Sequence, residues 1–124
     1  MTGPDERPLI LVVDDDLDIR NTVAGILQDE GYRVAKSGNG QEALAFLSAP
    51  GAPRPSLILL DMMMPIMDGA TFHEHQQERP ELASIPVLTF TAFGSPSDVS
   101  WAAGRLSKPL RLEALLTMVA KHAG

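Results

Sequence analysis

The chain has no cysteine, which excludes disulfides and thiolate metal sites. It has no basic excess either. Ten lysines and arginines face sixteen aspartates and glutamates, leaving a net charge of −6 and a pI of about 4.9. Direct nucleic-acid binding, which needs a basic footprint, is not expected. No apolar run approaches the roughly 20 residues of a membrane span, and MTGPDERP at the N-terminus lacks a signal-peptide pattern; a cytoplasmic protein is expected. There is no internal repeat and no low-complexity tract. The loosest stretch, SAPGAPRPS at 48–56, is too short to separate domains. A chain of 124 residues fits one domain that buries roughly two-thirds of its unfolded surface. Residues 1–8 read as a tail and 9–124 as that domain, with no output domain attached.

What is present is a run of aliphatic residues that ends in acid. Residues 9–18 read LILVVDDDLD. Leu9–Val13 has the length and burial signal of a strand, and Asp14, Asp15 and Asp16 follow it directly. Ile19, Val23, Ile26 and Leu27 then recur at helical spacing, with Asp16 suited to the cap and Gly31 just past the end. Tyr32–Ser37 reads as a second strand. Asn39 with Glu42 three places on resembles a capping box for a helix carrying Ala43, Leu44, Phe46 and Leu47. Leu57–Leu60 is a third strand and ends at Asp61. A helix from near Asp68 towards Arg79 stops at Pro80. Pro86–Phe90 is a fourth strand, ending at Thr91. Leu106–Ser107 is a short fifth, ending at Lys108, and Leu112, Leu115, Leu116 and Val119 mark a last amphipathic helix.

Strands alternating with helices predict a parallel sheet covered on both faces, in which ligands sit at the carboxyl ends of the strands. That rule gathers Asp14, Asp15, Asp61, Thr91 and Lys108 on one rim. Two carboxylates 4 Å apart repel by about 4 kcal/mol at an effective dielectric near 20. Such a cluster either raises its pKa values or holds a cation. An open rim of oxygen ligands favours Mg2+, for which Mn2+ can substitute.

VVDDD (12–16), LLDMMMPIMDG (59–69), TFTA (89–92) and SKP (107–109) together resemble the receiver domain of bacterial response regulators, over almost the whole chain. The resemblance implies a flavodoxin-like (βα)5 fold with a five-stranded parallel sheet in order 2-1-3-4-5. It implies that Asp61 accepts a phosphoryl group from a histidine kinase or histidine phosphotransfer protein. Asp14, Asp15, Asp61 and the backbone carbonyl of Met63 would hold Mg2+. Thr91, the backbone amide of Ala92 and Lys108 would bind the phosphate, and the Lys108–Pro109 bond would be cis. The chain would then be a signalling switch or relay that catalyses only its own phosphorylation and dephosphorylation, and passes the signal to an unknown downstream protein without touching nucleic acid or membrane.

Two departures from the family pattern bear on output. Arg105 stands where the family keeps an aromatic residue that couples the site to the outer face. The interval from Thr91 to Lys108 is about five residues short, so the helix between the fourth and fifth strands is expected to be stubby or absent, with Ser95–Pro96 as its start. Trp101 is then expected to fill the gap. Met63 and Phe93 stand two places after Asp61 and Thr91, positions that in the family tune hydrolysis by guiding or excluding water, and the resemblance implies that two large apolar side chains there slow the loss of phosphate. Other residues carry blander readings. The Met62, Met63, Met64 and Met67 group reads as packing, His73 and His75 as surface histidines on different faces, His122 as a charge suited to a helix end, and Arg20 as solvated.

Two rival functions use similar parts. A haloacid-dehalogenase-like phosphohydrolase would take its nucleophile from the first strand and would lose turnover in Asp14→Asn but not Asp61→Asn. A receiver-shaped interaction module without switching would bind its partner equally with and without phosphate.

Overall fold

The computed structural model describes residues 7–64, 66–92, 101–108 and 110–123, excluding the side chains of Thr91, Ala92 and Ser107. In chain order the elements are β1 (Leu9–Val13), α1 (Leu17–Asp29), β2 (Arg33–Ser37), α2 (Gly40–Ser48) and β3 (Leu57–Asp61). They continue with α3 (Gly69–Gln77), α4 (Pro80–Ala83), β4 (Val87–Ala92), β5 (Gly104–Lys108) and α5 (Leu112–His122). The five strands form one parallel sheet in the order β2-β1-β3-β4-β5, the expected flavodoxin-like arrangement.

Every residue of β1 and of β3 is buried, as a strand covered on both faces requires. Alternate side chains serve opposite layers. Ile10, Val12, Leu57, Leu59, Leu88 and Phe90 pack with Val23 and Leu27 of α1 and Leu115 and Val119 of α5. Leu11, Val13, Ile58 and Leu60 pack with Ala43 of α2, Phe72 of α3 and Leu82 of α4. Truncating a fully buried leucine such as Leu59 to alanine costs about 2–5 kcal/mol.

The helix starts follow local chemistry. Asp16 accepts from the Ile19 amide at 3.1 Å, Asn39 from the Glu42 amide at 2.9 Å, and Asp68 from the Thr71 amide at 2.9 Å. Each satisfies an otherwise orphaned donor. Glu42 answers with a bond from the Gly38 amide at 3.0 Å. Gly31, at φ 95°, closes α1 in the left-handed region that favours glycine.

Three expectations need correction. Pro80 does more than end a helix: α3 stops at Gln77, and Pro80 opens α4, a single turn of four residues, where its missing N–H costs nothing. The fifth strand is longer than Leu106–Ser107 because Gly104 and Arg105 pair with Leu88 and Thr89. His73 is not a free surface side chain: its ring stacks on Trp101, 3.7 Å between centroids and 8° from parallel. Trp101 itself packs, half-buried, against the α2–α3 layer; the gap it was expected to fill falls among residues outside those described. The fourth helix in the chain is thus short, whereas the expected helix start at Ser95–Pro96, Phe93 and Pro109 with its peptide bond lie outside the described residues.

Candidate metal and phosphate site

Four strand ends build the site. β1 delivers Asp14, wholly buried, and then Asp15, which is exposed. β3 ends in Asp61, 3% exposed. One carboxylate oxygen from each of Asp14, Asp15 and Asp61 lies within 4.8 Å of the others. β5 supplies Lys108, whose Nζ donates to Asp61 Oδ2 at 3.2 Å and sits 3.1 Å from Asp14 Oδ2. The ammonium also lies 5.2 Å from the centre of the Phe90 ring, a cation–π distance. The register sets Ala92 of β4 opposite Lys108 and Thr91 opposite Ser107, so the backbone of β4 reaches the same rim.

The turns hold these carboxylates in defined poses. Asp14 Oδ1 accepts the Asp16 amide at 2.9 Å. Asp61 Oδ1 accepts the Met63 amide at 3.0 Å. The other oxygen of each faces Lys108. Asp14 Oδ2 is buried without an aligned hydrogen-bond donor; its approach to Lys108 is an ion pair, close but off-axis. Apart from that ion pair it has no partner among the described residues. One oxygen from each of three carboxylates converging on one place fits a hard divalent cation, and Asp14, Asp15 and Asp61 are the residues that would hold Mg2+.

Charge follows from this crowding. The Asp61 carboxyl is pushed from 3.8 to about 6, first by burial and further by the Asp14 carboxylate, against the Met63 amide and the Lys108 ammonium. For Lys108, burial alone would lower the pKa. Its bonds and attraction to Asp14 and Asp61 outweigh burial, and the net shift is upward. The lysine therefore stays charged and part-neutralises the acids.

The loop after β3 is folded tightly. The Gly69 amide donates to the Met62 carbonyl at 3.2 Å, and a Cβ at Gly69 would meet Met62 Sδ and lie 2.9 Å from Met62 Cα. The methionines divide: Met62 and Met64 are buried, whereas Met63 is 63% exposed beside Asp61. Arg105 is exposed on β5. One residue the sequence gave no reason to select is Arg20. It is not simply solvated, because its Nη1 donates to the Asp14 carbonyl at 2.8 Å. Its only signal was its place one turn after the acidic tip.

The sheet order and an acid-lined rim facing a lysine define a class of phosphate-handling α/β domains. Residues 10–120 match the family model of the response regulator receiver domain, and the chain belongs to that family, whose members are phosphorylation-dependent signalling switches. It is similar to CheY4 of Vibrio cholerae, with 32% identity, a TM-score of 0.83, and 94% of this chain and 98% of that chain covered. It is also similar to the receiver domain of a signal transduction histidine kinase from Syntrophus aciditrophicus (32% identity, TM-score 0.82, 94% and 89% covered). The DNA-binding dual master transcriptional regulator RpaA of a Synechocystis strain is 35% identical over 117 residues, 90% of this chain and 47% of that protein. The chain spans between 35% and 66% of the length of four curated relatives it matches.

Proposed function

We propose that this receiver accepts a phosphoryl group on Asp61 from a phosphohistidine of a histidine kinase or phosphotransfer protein. One observation carries the reading: the Asp61 carboxylate lies in the same small space as two further carboxylates and one ammonium, with each of its oxygens already aimed. Phosphoryl transfer asks a protein mainly to position the groups and to neutralise the equatorial oxygens. Mg2+, held by Asp14, Asp15, Asp61 and the Met63 carbonyl, would supply neutralising charge to those oxygens. Lys108 is placed to leave Asp61 for an incoming phosphate, and Thr91 and the Ala92 amide belong to the strand end beside it. The product, an acyl phosphate, is labile and suits a reversible signal.

The protein's surface fits a protein donor. Leu17, Met63, Ile66 and Leu112 are the large apolar side chains most exposed among the described residues. All four follow the carboxyl ends of strands, the side of the sheet that carries the acids. Beside Lys108 a groove of about 310 Å3 runs between α1 and α5, lined by Ile19, Thr22, Ile26, Leu110 and Leu112. A phosphohydrolase using Asp14 as nucleophile has no comparable support, because the family match over residues 10–120 is to the receiver domain.

The test is incubation with acetyl phosphate and Mg2+, read by intact mass. A gain of one phosphoryl group in the wild type and none in Asp61→Asn is the expected result. Phosphorylation surviving in Asp61→Asn would overturn the proposal.

A further inference from the structure

Arg20 lies in the first turn of α1, and its guanidinium turns back over the tip of β1. Nη1 donates to the Asp14 carbonyl at 2.8 Å, while its own amide donates to the Asp16 carbonyl at 2.9 Å. The other polar atoms of Asp14 are also engaged. Its amide donates to the Ser37 carbonyl at 3.2 Å, and its Oδ1 accepts the Asp16 amide at 2.9 Å. Only Oδ2 is left to face the rim. The carbonyl that Arg20 holds belongs to the peptide joining Asp14 to Asp15. The rotation of that peptide sets the direction in which the exposed Asp15 side chain leaves the chain.

Gly38 offers a second, independent indication. A Cβ there would stand 3.2 Å from Arg20 Nη1 and 3.5 Å from both oxygens of Glu42. Gly38 does not have a positive φ, so its backbone conformation is open to alanine. What the missing side chain provides is room. The guanidinium passes close to the turn between β2 and α2, and the Glu42 carboxylate lies near the same point.

We infer that Arg20 is a positioning residue for the cation: by holding the Asp14 carbonyl it fixes the Asp14–Asp15 turn in the pose that presents both carboxylates to one divalent ion. This rests on the metal site put forward under Proposed function. Arg20 touches neither phosphate nor metal; it acts through the peptide between two ligands. Partners that orient metal ligands in this way are typically worth about 10-fold or more in affinity.

The experiment is a Mn2+ titration of the folded protein followed by electron paramagnetic resonance of the free ion, with thermal melts in chelator alongside. Arg20→Met is expected to bind Mn2+ about 10-fold more weakly, and Arg20→Lys, which keeps a cationic donor, to recover part of that loss. Gly38→Ala leaves Arg20 in the chain but crowds its guanidinium, and is expected to weaken Mn2+ binding in the same direction. If both act through one contact, the double variant is no weaker than Arg20→Met alone. Wild-type affinity in Arg20→Met, or full additivity of the two losses, would overturn the inference. So would a lowered melting temperature without metal and unchanged affinity, which marks a purely structural role. Should Arg20→Met fail to fold, Gly38→Ala decides alone, and wild-type affinity there would overturn the inference. A wild type that does not bind Mn2+ removes the metal reading itself, and is told apart because no variant is then needed to see it.

Discussion

Asp61 carries a penalty when no cation is present. Its carboxyl is lifted from 3.8 to about 6, chiefly by burial, so the native state holds this proton more tightly than the unfolded chain does. The linkage sign follows. The group's contribution to stability is greatest below pH ~4, declines as pH rises from about 4 to 6, and is flat above that. The gap between the two values corresponds to on the order of 3 kcal/mol. In chelator at pH 7, Asp61→Asn is therefore expected to melt about 5 °C or more above the wild type. At pH 4 the difference should nearly vanish, because the native Asp61 carboxyl is then neutral like the amide and the unfolded group is only partly ionised. Melts at the two pH values check this; an equal gap at both would show that proton linkage is not the cause.

At the scale of elements, the stack of His73 on Trp101 joins α3 to the connection entering β5. Trp101 is the chain's single tryptophan, so its fluorescence reports this contact without labelling. Burial lowers the His73 pKa below 6.5, and Gln76 and Glu74 only partly oppose that shift. The neutral ring's contribution to stability is thus fully present above pH 6.5 and is lost as pH falls below it. Emission is expected to change with a midpoint below pH 6.5, and the transition to be absent in His73→Gln; a persisting transition would assign it to another group. The turn from β3 into α3 makes a different demand. Gly69→Ala drives a methyl into Met62 Sδ and towards its Cα at 2.9 Å, and is expected to cost about 1–3 kcal/mol in denaturant unfolding.

The elements differ in how far the sequence announced them. Leu9–Val13 and Leu57–Asp61 were legible because a parallel strand buried on both faces is apolar along its length. Asp16, Asn39 and Asp68 were legible because a cap binds an amide two or three residues away. The acids and Lys108 could be gathered because parallel strands place their ends on one rim. The His73–Trp101 stack and the reach of Arg20 to Asp14 depend on packing between elements far apart or on side-chain direction, which periodicity does not encode. Met62 and Met63 are neighbours of the same type, yet one is buried and one exposed; only the turn geometry separates them. Pro80 was ambiguous because the same missing N–H both ends one helix and suits the first position of the next.

For the whole molecule, acids at the centre of the rim and apolar side chains around it imply two separable properties. On the proposed reading a small phosphodonor would meet only the centre, whereas a protein donor would also cover Leu17, Ile66 and Leu112. Leu17→Lys and Leu112→Glu are expected to slow transfer from a phosphorylated histidine protein by roughly 10-fold, as loss of an apolar contact at an interface does. Acetyl phosphate should label them at the wild-type rate. Equal rates with both donors would remove the rim from the docking surface. Among the described residues no helix is long and apolar enough to cross a membrane.

Because all five strands point the same way, the loop at 49–56 lies at the amino ends of the strands, opposite the acids. The chain also enters β1 and leaves α5 at that far end. The acids and the lysine of the rim, by contrast, are drawn from residues 14 to 108, so a fragment ending before β5 would lack the ammonium that balances the carboxylates. A circular permutant reopened within 49–56 would keep every strand-to-helix turn of the rim uncut. In engineering terms the molecule divides into a working end that carries the acids and a far end where the chain can be reopened without interrupting a turn of the rim.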